Sequence, residues 1–203
     1  MRIAAFGEHG KLTIVDKFGV WLSHRRVRQF LPALQGLVVG DFGCGFHASL
    51  TRPLLADVAH AWLADVHVDS QLARHANVTV VEGLLPQSLL AIPDATLDAV
   101  FCVSVLEHLD APAELLRQIH RVLKPGGTAL LNVPSWRGKT FLEFSAFVLH
   151  TSPAVEMDDH KTYYDVKDLW PMLVAAGWRP SRIRCWPHKL GLNTFAVCRK
   201  DAP

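Results

Sequence analysis

Asp41-Phe42-Gly43-Cys44-Gly45-Phe46-His47-Ala48 decides how this chain folds, and it directly follows the apolar run Leu37-Val38-Val39-Gly40. Leu37 to Phe42 is predicted as a strand. Gly43 and Gly45 let the backbone turn tightly after it and let a ligand approach where a Cβ would otherwise stand. About twenty residues on, Asp65 ends a second predicted strand, His60 to Asp65. A carboxylate at that place can accept hydrogen bonds from both hydroxyls of a ribose.

Working outward, Val78 to Glu82, Leu97 to Val103 and Thr128 to Val133 are three further apolar runs of strand length. Continuous runs of this kind suit strands buried on both faces of a parallel sheet, and the stretches between them are expected to be helical. The clearest helix lies before the fifth strand. Pro112 and Glu114 suit its first turn, Leu115, Leu116, Ile119, Val122 and Leu123 form its apolar stripe, Lys124 sits in its last turn, and Pro125-Gly126-Gly127 ends it. Beyond Val133 comes a long connection, Pro134 to Tyr164, with a helix expected near Lys139 to Leu149. Asp165 is a predicted N-cap for a last helix ending near Gly177, which Pro171 should kink or delay. Arg182 to Trp186 and Leu192 to Cys198 have the spacing of an antiparallel hairpin. The expectation is an α/β fold: a Rossmann-like, doubly wound, mostly parallel seven-stranded sheet with a C-terminal antiparallel hairpin. Ligands of such sheets bind beyond the carboxyl ends of the strands.

Gly43-x-Gly45-x-x-Ala48 also fits a dinucleotide fingerprint literally. Three features argue against a nicotinamide-dependent oxidoreductase. Asp41 would stand beside a pyrophosphate, which is unfavourable, whereas beside an ammonium or sulfonium it is favourable. The roughly seventy residues after the fifth strand leave no domain for a hydride acceptor. The late hairpin is foreign to the dinucleotide-binding half-sheets.

At these residues the chain resembles the class I S-adenosylmethionine-dependent methyltransferases, from about Leu37 to Lys200. Asp41 to Gly45 is similar to their first motif. Leu97-Asp98-Ala99-Val100-Phe101-Cys102 is similar to their strand-four motif, and Val105-Leu106-Glu107-His108-Leu109 to the segment that follows. Arg121-Val122-Leu123-Lys124-Pro125-Gly126-Gly127 is similar to the turn leading into strand five. Among members, the likeness is closest to small-molecule enzymes of the ubiquinone-biosynthesis type. The resemblance implies S-adenosyl-L-methionine as cofactor. Gly43, Cys44 and Gly45 would pack on its methionine part, and Asp41 would hold its ammonium directly or through water. Asp65 would hold the ribose, and Val66 would contact adenine. Backbone at Val103 and Ser104 would meet the methionine end. The chain departs from the family after the third strand. Gly83-Leu84-Leu85 stands where Gly-Asp-Ala is usual, so adenine would be held by backbone and apolar packing there, or by Glu82 if the strand continues. Weaker cofactor binding than in relatives is expected.

A sulfonium methyl is already activated, so the chain mainly has to hold an acceptor in line with it. A base adds rate when the acceptor is a hydroxyl. His160 is the preferred base, oriented by Asp158 or Asp159, with His108 and Glu107 lining the acceptor pocket. Asp158, Asp159, His160 and His108 do not match a recognised ligand pattern, so no metal is expected. Trp136, Phe141, Phe144, Phe147 and Tyr163 are either helix packing or the wall of a lid over an acceptor with an apolar or sugar ring. A scaffold that binds the cofactor without catalysing transfer is the alternative from another class.

Length and charge fit this reading. A chain of 203 residues with a net charge of +2 is expected to be one methyltransferase domain, 1–203, with an N-terminal helical segment at 1–35 and a lid-like insertion at 134–164. Residues 1–35 hold six basic and two acidic side chains, a solvated helical face or a surface recruiting an anionic substrate. Cys44, Cys102, Cys185 and Cys198 show no CxxC spacing and are expected to be reduced. No signal-peptide pattern or membrane-length apolar run is seen, so a cytoplasmic monomer or homodimer is expected, acting on a small molecule rather than on nucleic acid.

Overall fold

The apolar runs become strands because each is covered on both sides. The computed structural model describes residues 5–8, 14–140 and 160–202. Its seven strands are β1 (Val38–Phe42), β2 (His60–Asp65), β3 (Val78–Glu82), β4 (Leu97–Val103), β5 (Leu123–Pro134), β6 (Ile183–His188) and β7 (Asn193–Arg199), in the order β3-β2-β1-β4-β5-β7-β6. The first five run parallel, and β7 is antiparallel to both β5 and β6. The expected sheet and hairpin are both present.

Helices α1 (Ile14–Phe30), α2 (Pro112–Val122) and α3 (Val166–Ala175) divide between the two faces. Leu115, Leu116, Ile119 and Val122 of α2 and Leu169 and Leu173 of α3 are buried against one face, with Val100, Leu131 and Ala196 of the sheet. Val27 of α1 packs against the other face with Phe101, Leu130 and Phe195. Phe30 stacks over Trp186 at 5.6 Å and Phe195 at 6.1 Å, which fixes α1 against the hairpin.

Several expectations are corrected. The links from β1 to β2, β2 to β3 and β3 to β4 carry short 3-10 turns, Arg52–Leu54, Leu72–Arg74 and Gln87–Ala91, instead of α-helices. Pro53 falls inside the first, Pro86 and Pro93 bracket the third, and the second link is barely long enough for a crossover. Lys124 does not end α2. It opens β5, where its ammonium pairs with Asp98 at 2.8 Å. The carbonyls left over at the end of α2 are met by Lys200, which donates to His120 and Leu123. Pro171 neither delays nor prevents α3. The helix starts on a capping box between Asp165 and Asp168 and runs through the proline. Residues 136–140 are helical, and the rest of the helix expected to Leu149 lies outside the described residues, as do Phe141, Phe144, Phe147, Asp158 and Asp159. Among the described residues, no helix is long and apolar enough to cross a membrane.

Leu116 is fully buried between α2 and the sheet. Leu116→Ala should lower the unfolding free energy by about 2–5 kcal/mol. Urea titration with an unchanged m-value is the check, and a loss under about 1 kcal/mol would show that the α2 interface is not close-packed.

Candidate active site

β1, β2 and β4 deliver their carboxyl ends to one place, and the glycine loop lies across them. Gly43 has φ +76°, and a Cβ there would stand 2.2 Å from Cγ2 of Val105. The loop after β4 therefore packs directly on backbone that only glycine can supply. Gly45 has φ +70° and lies under the carbonyl of Phe6. Phe46 donates its N–H to that carbonyl at 2.9 Å, so residues 5–8 run over the loop, a position that sequence reading assigned to a leading helical segment.

Asp65 binds this arrangement together. One of its oxygens accepts from the Gly45 N–H and the other from the Val66 N–H, each at 2.7 Å. The Gly43 N–H donates to the Ala64 carbonyl at 2.7 Å. A carboxylate offers about four acceptor positions and can accept from the two hydroxyls of a diol. Asp41 is almost completely buried and accepts from the Thr51 hydroxyl at 2.7 Å. Burial pushes its carboxyl up to about 7, against the Thr51 bond, and nearby Asp65 adds to the rise. Thr51 lies ten residues beyond Asp41 in no motif, and sequence reading missed it. Cys44 beside them is free and partly buried, and burial raises its thiol well above the ordinary range.

Gly83, Leu84 and Leu85 follow β3. The strand ends at Glu82 and the backbone turns at Gly83, with φ +136°. Glu82 and Leu84 thus do not continue one strand face. Glu82 accepts from the Val68 N–H at 2.9 Å, which ties it to the loop after β2. Leu84 is exposed, in the place where the acid is missing.

Beyond β4, Ser104 has φ +56° and donates its N–H to the Asn132 carbonyl. This turn swings the next residues over the end of the sheet. Glu107 is buried there, next to His108. His160 arrives from the other side of the long connection, placed when the Lys161 N–H bonds to the Glu107 carbonyl at 2.7 Å. The rings of His108 and His160 are 4.8 Å apart, and His160 Nδ1 meets the Tyr163 hydroxyl at 3.1 Å. One donor atom from each of Glu107, His108 and His160 lies within 4.8 Å of the others, a geometry that can pass protons or hold a cation. The structure thus gathers the three residues that sequence reading chose for the acceptor side. Trp136 stands 5.6 Å from Tyr163, so that part of the aromatic group is also at this mouth.

A methyltransferase-domain family matches residues 40–131. The chain is 29% identical over 134 residues to a tRNA U34 carboxymethyltransferase of Desulfotalea psychrophila, a match covering 62% of this chain and 42% of that protein. It is 29% identical over 99 residues to a ubiquinone biosynthesis O-methyltransferase of Pseudomonas aeruginosa, covering 47% of this chain and 36% of that one. The chain therefore spans about two fifths of the length of these curated relatives. A solved S-adenosylmethionine-dependent methyltransferase from Archaeoglobus fulgidus superposes with a TM-score of 0.65 at 16% identity, covering 89% of this chain and 94% of that one. The partial family match and the fold are both those of proteins that use S-adenosyl-L-methionine as cofactor. The chain is thus similar to a methyltransferase-domain family over residues 40–131, and its fold is that of solved S-adenosylmethionine-dependent methyltransferases.

Proposed function

We propose that this protein transfers the methyl group of S-adenosyl-L-methionine to a small-molecule acceptor at the mouth formed by Glu107, His108 and His160. The observation that carries the reading is the pair Asp41 and Asp65 on either side of a loop whose glycines cannot be replaced. The same observation supports the cofactor fit. Asp41 is a buried carboxyl whose ionisation is costly until a cation stands beside it, and the ammonium of the cofactor is such a cation. Asp65, at the end of β2, accepts from the ribose hydroxyls in this proposal. Gly43, Cys44 and Gly45 line the methionine part, with Val103 and Ser104 beyond it, and Val66, Gly83, Leu84 and Leu85 border the adenine. The whole of residues 1–203 acts as one domain in this proposal.

When bound, the cofactor supplies an activated sulfonium methyl. The chain's own contribution is to position the acceptor, and alignment alone is worth roughly 7–11 kcal/mol of barrier. His160 accepts the acceptor's proton. With Nδ1–H donating to the Tyr163 oxygen, 3.1 Å away, Nε2 is the atom that takes the proton. Glu107, buried beside it, stabilises the imidazolium that forms. The close grouping of these donors favours a compact acceptor. The same grouping favours a second reading, in which the trio are ligands of a divalent cation that lowers the acceptor's pKa.

Binding of S-adenosylhomocysteine should require ionised Asp41, so affinity should weaken about tenfold between pH 8 and pH 6, across the value near 7. Calorimetry at the two pH values is the check. Asp41→Asn should bind more weakly with a flat profile, and a flat profile in the wild type would remove the role given to Asp41. Asp65→Ala should weaken binding by about ten- to a hundredfold, the worth of hydrogen bonds to a charged group. Wild-type affinity in the nanomolar range would contradict the weaker binding expected from Leu84.

His160→Ala should cut turnover at least about tenfold while leaving affinity for S-adenosylhomocysteine unchanged. Turnover abolished by EDTA and restored by Mg²⁺ or Mn²⁺ would select the cation reading. Turnover indifferent to EDTA but lost in His160→Ala selects the base, and an unchanged rate in the variant defeats both.

A further inference from the structure

The positive charge of α1 is arranged toward a particular place. Arg28 is matched by Asp57 at 2.7 Å. Arg25 and Arg26 instead line a cavity of about 440 Å³ together with Leu22, Gln29 and His188, with no carboxylate among the described residues of that lining. Arg26 is held by uncharged partners: it donates to Gln29 at 2.6 Å, meets His188 Nδ1 at 3.3 Å and lies 5.9 Å from the Trp186 ring. Its guanidinium is thus fixed in orientation with its charge unanswered by any group in the lining.

His188 is the second observation. Its side chain is over nine-tenths buried, it borders the cavity, and its Nε2 has no hydrogen-bond partner among the described residues. Burial, then Arg26 and Lys189, lower it to about 4, so it is neutral near pH 7. Both neighbouring cations therefore act on this spot. Lys189 lies beneath α1, its ammonium 3.6 Å from where a Cβ on Gly19 would stand.

The cavity lies at the same end of the sheet as the proposed methyl-transfer mouth. His188 ends β6 at the same sheet edge as the end of β5, since His188 and Pro134 both pair with Asn193. The turn that follows is tied to Ser135, which donates its N–H to Leu192 and its hydroxyl to Gly191. Lys189 also feels the charge of Glu107.

Resting on the methyl-transfer reading above, we infer that the cavity between α1 and the end of β6 is a subsite for an oxyanion, a carboxylate or phosphate, carried by the methyl acceptor. Arg25 and Arg26 grip the group as a planar fork, His188 adds a neutral hydrogen bond, and Lys189 supplies field from behind.

The test uses inorganic phosphate as probe, with sodium chloride at equal ionic strength as control. Phosphate should saturate the wild-type protein in calorimetry and shift the His188 ring signals in NMR. The double variant Arg25→Gln/Arg26→Gln should bind phosphate at least tenfold more weakly and keep its affinity for S-adenosylhomocysteine within twofold. Arg26→Lys should recover only part of the loss, because an ammonium lacks the fork. A phosphate effect no greater than chloride's, or full retention in the double variant, overturns the subsite. A short oligoribonucleotide that binds the wild type through the same arginines at least tenfold more tightly than phosphate overturns the small-acceptor assignment. Arginine-dependent phosphate binding in a protein that does not bind S-adenosylhomocysteine overturns the cofactor reading and, with it, the acceptor role, while leaving an anion pocket.

Discussion

The grip of the Asp65 carboxylate on the Gly45 and Val66 N–H groups is the contact on which the site depends. It joins the loop after β1 to the end of β2. A carboxylate taking charge-assisted bonds from backbone is held more firmly than one paired with a mobile side chain. The glycine loop is thereby presented in one conformation. Val105 closes it from the other side, pressed on Gly43 so closely that no side chain fits between them. Three strand ends are locked by one acid and one valine, and every functional group discussed above hangs from those three strands or their neighbours.

The acceptor side follows from a second constraint, the left-handed turn at Ser104. Because that residue bends back and bonds to Asn132, the segment through Glu107 and His108 folds over the sheet end rather than away from it. Glu107 then offers its backbone carbonyl to Lys161, and that single hydrogen bond sets His160 against His108 although they are fifty-two residues apart. Lys161 reinforces the junction through an ion pair with Asp110. The group of Glu107, His108 and His160 is therefore assembled by backbone geometry.

Much of this was legible in the sequence, and the reasons are physical. The central parallel strands announce themselves because backbone buried on both faces carries apolar side chains, as in Ala99 to Cys102 of β4. Asp41, Gly43, Gly45 and Asp65 stand out because ligand geometry fixes their spacing. The crossovers were misread because hydrophobic residues in a short link look helical whether or not prolines such as Pro53, Pro86 and Pro93 interrupt it. Lys124 was misread because a lysine before Pro-Gly-Gly suits a helix end equally well; its partner Asp98 lies on a strand twenty-six residues earlier. Thr51 and His188 were invisible for the same reason. Each acts on a residue far away in sequence, Asp41 and Arg26, and no periodicity records such a contact.

Across the sheet edge the ionisable groups sort by sign. Glu82, Asp65 and Asp41 stand at the ends of β3, β2 and β1, and Glu107 follows β4, whereas Lys189 follows the far strand β6 and Arg25 and Arg26 lie beside its neutral last residue, His188. A cofactor bearing a sulfonium and an ammonium gains from the acidic half, and an acceptor bearing an oxyanion gains from the basic half. The sorting also argues that the two halves are read by different molecules. Were a single anionic ligand to fill the whole cleft, it would have to lie against the three acids of β1 to β3. An acceptor anchored by its anion at the β6 end would instead reach toward β4 with its nucleophilic atom and meet the methyl group where the signs change, beside Glu107, His108 and His160. Positive charge leaves the sulfur as the methyl is transferred, so the acids that favour the cofactor oppose the reaction slightly. On the acceptor side, the buried Glu107 carboxylate beside His108 and His160 would favour a protonated imidazole in the proposed reaction and so offset part of that opposition.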